Sequence, residues 1–451
     1  MIPYVVSGSS QTVTVRLKAD TTSASFRHAC AAGCILLLLA TGGPRSFAQD
    51  YKPNLPAGHP AIDYERAPAT DAASRLAQQL ERGALMLDTR PGALSLLRAV
   101  LEHLRIPVDS QLLVFSKTSF QAARISPDHP RAIYFNDEVA VGYVPGSSSL
   151  EVAAIDPILG PVFYALTVDE AGRPGVARSG TCLRCHQGPH TAGVPGIYVG
   201  SVIPGPTGAP VRDESAIITD HTSDFRGRWG GWYVTARRGE QPDRANAVAS
   251  NPADPETLVR ESRQNVTSLT GLFDLSGYPA PTSDIVALMT FEHQTQMANL
   301  ITRVAWEARI ARHAPDPQVE TALASDIDDL ASYMLFAGEA PLKEPVEGVS
   351  SFTRTFPQRG PRDRRGRSLR DFDLQTRLFR YPLSYMVYSA AFDALPDAVR
   401  ARIYRRLYDR LSGGAADARA DPRLSPTDRR AIVEILRDTK AGVPTYWFAD
   451  Q

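Results

Sequence analysis

An α+β fold is predicted, with a mostly antiparallel sheet packed against a helical C-terminal half, and three features of the chain predict it. Five short runs rich in β-branched and aromatic residues, QLLVFS, RAIYFN, EVAVGYV, LEVAAID and GPVFYAL, follow one another between residues 111 and 166. From Ser283 the stretch SDIVALMTFEHQTQMANLITRVAWEARIARH contains neither Gly nor Pro and opens on a Ser-Asp cap signal, so it reads as one long helix. Strands and helices also segregate along the chain instead of alternating, which argues against a parallel βαβ sheet.

Taken in order, residues 49–70 are polar and Pro-rich and read as a linker. Asp71 can cap a helix running to about Arg90, because Ala72, Leu76, Ala77 and Leu80 fall at helical spacing. Pro91-Gly92 breaks it, and ALSLLRAVLEHL supplies a second helix. The five strand runs follow, with Asn136-Asp137 between the second and third marking a hairpin. GIYVGSVI, SAIIT and GWYVTA are further strand segments. Beyond the long helix, more helices are expected over 317–337, 396–411 and 426–439. This divides the chain into a leader over 1–48, the linker, an α+β domain over 71–282, and a mainly helical region over 283–451 packed on it. Arg354 to Arg370 contains seven arginines and reads as a solvated basic loop, the alternative being one that docks an acidic partner or the acidic groups of a cofactor.

The chain has 451 residues, 43% hydrophobic and 22% charged, with 49 basic and 49 acidic side chains. That balance is ordinary for a globular protein and points to no nucleic-acid partner and no polybasic membrane anchor. Near the N-terminus, Arg27 and His28 precede ACAAGCILLLLATGG, and Ser46-Phe47-Ala48 offers a small-residue cleavage site. A charged start, a short apolar run and a cleavage site form an export signal, with an uncleaved anchor as the alternative. Cleavage after Ala48 would remove Cys30 and Cys34 and leave Cys182 and Cys185 as the only thiols.

Those two cysteines lie in CLRCH, residues 182–186. Three chemistries use such a cluster. Two thiolates three residues apart on a helical turn can add to the two vinyl groups of haem, while the adjoining His186 ligates iron. Cys182, Cys185, His186 and His190 could instead hold zinc, although adjacent ligands such as Cys185 and His186 rarely both fit a tetrahedron. A redox dithiol is the third reading, and it expects a strand-to-helix junction in a βαβ frame that the flanking Arg178-Ser179-Gly180 and Gly188-Pro189 do not suggest. Export favours the haem reading, since covalent attachment takes place outside the cytoplasm.

At residues 182–186 the chain resembles the c-type cytochromes. That resemblance implies covalent haem c held by Cys182 and Cys185, with His186 as proximal iron ligand. The small-cytochrome fold does not carry over, because the chain breaks at Gly188-Pro189 and has no Met between His186 and Met289. PRAIYFNDEVAVGYVPG, WGGWYVT and EHQTQM are similar to stretches of large, exported bacterial single-haem proteins, which supply a context and no assigned activity.

The second axial position must come from elsewhere. Val286, Met289, His293, Met297, Leu300 and Val304 form one narrow stripe of the long helix, which should be its buried face. His293 and Met297, one turn apart on it, are candidate distal ligands, and His221 in TDHTSDFRGRWGGWY is a third. For His293 a core role, hydrogen-bonded to Glu292 or a carbonyl, is the alternative, and for Met297 simple packing. An open iron is the remaining possibility. His190, four residues from His186, would lie on the proximal side. No G-x-S-x-G, Walker A or H-E-x-x-H motif is present.

The expectation is an exported monohaem c-type cytochrome of the periplasm or extracellular space, passing single electrons to a redox partner protein, without stable membrane insertion after signal cleavage. The chain is longer than electron transfer needs, so a haem enzyme of peroxidase type or a small-ligand sensor is the alternative. A scaffold subunit of a respiratory assembly is the third.

Overall fold

The computed structural model describes residues 52–90, 92–211, 216–251, 254, 256–413 and 424–448. All of them fall within one compact unit, Pro44–Gln451. The expected leader, with Cys30 and Cys34, lies outside the described residues.

Two amphipathic helices come first, α1 (Ala72–Glu81) and α2 (Ala93–His103). Asp71 caps α1 by accepting from the backbone N–H groups of Ala73 and Ser74 at 2.8 and 2.9 Å. The helix stops at Glu81, short of the expected Arg90, and Gly83 turns the chain at φ +65°. Six strands then form a meander: β1 (Leu112–Val114), β2 (Arg131–Phe135), β3 (Val139–Tyr143), β4 (Ser149–Asp156), β5 (Gly160–Val168) and β6 (Pro174–Arg178). The short helix α3 (Leu183–His186), a separate pair β7 (Val199–Ser201) and β8 (Ile217–Thr219), and β9 (Trp232–Tyr233) follow. The main sheet has the order β6-β5-β4-β3-β2-β1-β9, antiparallel throughout. At the β2–β3 hairpin, the Asn136 side chain accepts from Glu138 and Val139 N–H at 2.9 Å, an Asx turn that sets the register Phe135↔Ala140.

The helical half comprises α4 (Glu256–Glu261), α5 (Ile285–His313), α6 (Pro317–Met334), α7 (Phe352–Thr355), α8 (Ala390–Asp393), α9 (Asp397–Leu411) and α10 (Pro426–Thr439). Alternation along the strands sends two sets of side chains into two cores. Leu113, Tyr134, Val141, Leu150 and Val152 pack with α1 and α2. Leu112, Val114, Ile133, Phe135 and Ala140 pack with α5 and the C-terminal helices, Phe135 meeting Phe291 at 4.7 Å. The sheet is therefore a middle layer with helices on both faces. No helix among the described residues is long and apolar enough to cross a membrane.

Three features differ from the sequence reading. The stripe Val286 to Val304 on α5 is buried as expected, but so are the other sides of the helix, including Glu292, Arg303 and Glu307. Sheet and α6 enclose it, and its charged residues are paired: Arg228 with Glu292 at 3.1 Å and Arg303 with Glu307 at 2.6 Å. Residues 52–70 are packed instead of linker-like. Ile62 and Tyr64 are buried, Tyr64 Oη donates to Pro161 O at 2.7 Å, and Lys52 pairs with Asp326 and Asp329. Five of the seven arginines of 354–370 pair with the chain's own acids, Arg362 with Asp371, Arg364 with Asp438, Arg365 and Arg367 with Glu434, and Arg370 with Asp137, although Arg364 and Arg365 stay exposed as a solvated loop would leave them.

Candidate functional site

The CLRCH segment hangs from the edge strand. Ser179 N–H donates to Phe163 O at 2.8 Å, which carries the β5–β6 ladder one residue past β6. A 3-10 turn, Gly180–Cys182, then runs straight into α3. Cys182 has helical dihedrals, φ −61° and ψ −30°, so Cys182 and Cys185 stand at i and i+3 on one continuous turn. Residues so spaced share a face, with Cβ atoms about 5–6 Å apart. Neither is in a disulfide, Cys185 is exposed and Cys182 half-buried. Both thiols are thus open to covalent chemistry from one side.

His186, the next residue, is held by three contacts. Its Nδ1 lies 2.9 Å from Gly196 O, and its ring packs between Phe163 at 4.8 Å and Tyr198 at 5.4 Å. A carbonyl oxygen only accepts, so Nδ1 carries the proton and Nε2 keeps its lone pair. Burial lowers the pKa of His186, opposed by the hydrogen bond to Gly196. The ring is thereby held neutral with Nε2 as the basic nitrogen. Gly196 N–H in turn donates to His186 O at 2.8 Å, closing a small reciprocal ring of hydrogen bonds.

The loop bearing Gly196 is anchored from two directions. Asn299 of α5 accepts from Ile197 N–H at 3.1 Å and donates to Ile197 O at 2.8 Å. Arg303, one turn on, donates to Ala192 O at 3.2 Å and Pro53 O at 2.6 Å. Leu55 N–H donates to Gly193 O at 2.8 Å, and Gln187 Nε2 to Leu55 O at 2.8 Å. Gly193 sits at φ +72°, where an added Cβ would come within 2.3 Å of Pro53 O. Sequence reasoning missed Gly196, Asn299, Arg303 and residues 53–55, because all act across long separations. Asn299 and Arg303 stand four apart on α5 among many other polar residues, such as Glu292, Gln294, Gln296 and Glu307, so their spacing gave no distinctive local signal.

The expected distal candidates are placed elsewhere. His221 Nδ1 and His293 Nδ1 are 2.8 Å apart, and His293 Nε2 is 2.8 Å from Ser384 Oγ. Both nitrogens of His293 are therefore engaged inside the protein. Its ring stacks on Phe336 at 4.2 Å and lies parallel to Tyr333, and burial pushes its pKa down to about 3. Met297 is fully buried in the same helical core. Seen down α5, the Asn299 side facing the CLRCH loop lies roughly 120° from His293 and roughly 160° from Met297. The structure thus brings His221 and His293 to each other, and orients His293 and Met297 away from the α5 face that holds Gly196 and Ile197.

His190 packs on the other ring contact of Tyr198, at 5.5 Å. Among the described residues no cluster of three or more His, Cys, Asp or Glu is arranged to hold a metal ion, so the four residues of the zinc reading are not assembled as a ligand set. The dithiol reading lacks its frame as well, since the strand before CLRCH is the edge of an antiparallel meander. The donor set does fit haem: two accessible thiols on one helical face, and a neutral imidazole whose Nδ1–H is already committed to a carbonyl. Comparison with protein-family models, with curated proteins and with solved structures found no match for this chain.

Proposed function

We propose that the chain is an exported monohaem c-type cytochrome, with haem bound through Cys182 and Cys185, iron ligated by His186 Nε2, and single-electron transfer to a redox partner protein as its activity. The observation that carries this reading is the hydrogen bond from His186 Nδ1–H to Gly196 O beside two thiols that form no disulfide. Iron-ligating imidazoles characteristically donate their second nitrogen in this way, which fixes the tautomer and strengthens the ligand. When bound, haem supplies a one-electron couple between ferric and ferrous iron. The protein's part is to hold the imidazole neutral, aim Nε2, and offer both sulfurs from one face.

A second reading, a haem enzyme or small-ligand sensor with an open distal position, draws on the His221–His293–Ser384 contacts. They occupy both nitrogens of His293, one of the candidate distal ligands.

Expression of the full chain with haem-maturation machinery tests both readings. One covalent haem per chain, recovered from the periplasm with Gln49 as its first residue, supports the proposal. A ferrous spectrum unchanged by CO supports electron transfer, and CO binding supports the second reading. Absence of covalent haem overturns both.

A further inference from the structure

Asn299 and Arg303 are the points where the longest helix of the protein grips the loop that orients His186. Asn299 is fully buried and Arg303 nearly so. Asn299 holds both backbone groups of Ile197, the residue after Gly196, and an added Cβ on Gly196 would lie 2.4 Å from Asn299 Oδ1. The contact is thus close enough to fix Gly196, whose carbonyl accepts the hydrogen bond from His186 Nδ1–H and whose N–H donates to His186 O. Arg303 fixes the same loop five residues earlier, at Ala192 O, and ties it to Pro53 O. The guanidinium is itself held by Glu307 at 2.6 Å and by Asp326 at 2.9 Å, and Asp326 also meets Lys52. These interactions form one continuous path from α5 and α6 to the imidazole.

We infer that Asn299 and Arg303 are positioning residues for the His186 imidazole: through the 192–197 loop they set the direction and donor strength of Nε2, and so the reduction potential of the haem iron. The inference rests on the haem reading above. Its physical basis is that a carbonyl held firmly on Nδ1–H makes Nε2 a stronger donor, which favours the ferric form. Loosening Gly196 weakens that bond and shifts the equilibrium toward ferrous iron.

The test is Asn299→Leu, which removes both hydrogen bonds to Ile197, beside Asn299→Asp, which keeps an acceptor for Ile197 N–H. Both are made in the full chain and matured with haem. The expected result is unchanged covalent haem per chain, with a ferric-to-ferrous equilibrium shifted in Asn299→Leu by roughly tenfold, about 59 mV upward for one electron. Asn299→Asp should recover part of that shift, which a purely structural role would not produce. Full haem loading with an unshifted potential in both variants overturns the inference. If the wild-type chain takes up no covalent haem, the functional reading fails separately, and the positioning claim is decided in the haem-free protein by ¹⁵N NMR of His186. An Nδ1–H tautomer in the wild type that becomes mixed in Asn299→Leu, and less so in Asn299→Asp, supports it, and identical tautomers in the wild type and Asn299→Leu overturn it. Arg303→Lys, which keeps the charge but loses the forked contact, should shift the potential in the same direction by less; a shift in the opposite direction counts against the shared path.

Discussion

CLRCH and the His221–His293 pair are both histidine sites, yet they are built in opposite ways. His186 sits on a four-residue helix at the sheet edge, with an exposed cysteine beside it and one ring nitrogen committed to a carbonyl. His293 lies in the middle of a 29-residue helix with no exposed surface, and both of its nitrogens are engaged. The first leaves a lone pair beside reactive sulfur. The second engages both nitrogens of His293 within the fold, and its ring stacks on Phe336. Helical spacing on a buried stripe therefore shows that a histidine is enclosed and says nothing of what its nitrogens meet. What separates the two is whether a nitrogen remains once the neighbours are satisfied.

The largest effect that could break this contrast is at the cysteines. Cys182→Ser with Cys185→Ser should abolish covalent haem attachment, read as loss of haem absorbance on the denatured polypeptide, and His186→Ala should leave attachment but change the ferrous spectrum. Retention of covalent haem without the two thiols would remove the distinction between the sites. Next in size, His293→Ala should destabilise the protein by about 3 kcal/mol, since it opens a cavity and strips partners from His221 Nδ1 and Ser384 Oγ. Urea denaturation measures the loss, and the spectrum of any bound haem should not change. A low-spin to high-spin conversion in His293→Ala would show the buried pair to be an iron ligand after all.

Acid sharpens the contrast. The folded-state pKa of His293 is pushed down to about 3 by burial, below the ordinary histidine value of about 6.5. Between those values the unfolded chain binds a proton that the folded chain refuses. The stability contribution is therefore fully present above about pH 6.5 and falls as pH drops toward 3. His293→Gln should flatten the slope of denaturation midpoint against pH across that window. The smallest effect is expected at the basic loop. Arg364 pairs with Asp438 at 2.7 Å but is itself exposed, and Arg364→Ala should leave the denaturation midpoint unmoved.

How much of this was legible in the chain follows from the range over which each feature is encoded. Strands β2 to β5 are recorded locally in β-branched and aromatic runs, and β4 alternates buried and half-buried positions along its eight residues. β6, reading PGVAR, has no apolar run and exists because β5 offers it an edge. CLRCH was readable because five adjacent residues carry it. The pairing of His221 with His293, 72 residues apart, was not, because periodicity identifies a buried face without saying what the face meets. The same limit concealed Gly196, whose role is played by its backbone and leaves no side-chain trace. Residues 52–70 misread for a related cause: a Pro-rich polar segment looks like a linker until Asp326, Asp329 and Gly193 give it partners.

That N-terminal strap also imposes an order in time. Lys52 meets Asp326 across 274 residues of sequence, so that end of the strap cannot be anchored until α6 has been made. Contacts of such separation close late, after the loop-closure entropy of the intervening chain has been overcome. The strap is therefore a clasp with two unlike ends: Leu55 closes directly on Gly193 and Gln187 beside the motif, whereas Lys52 holds only through α6.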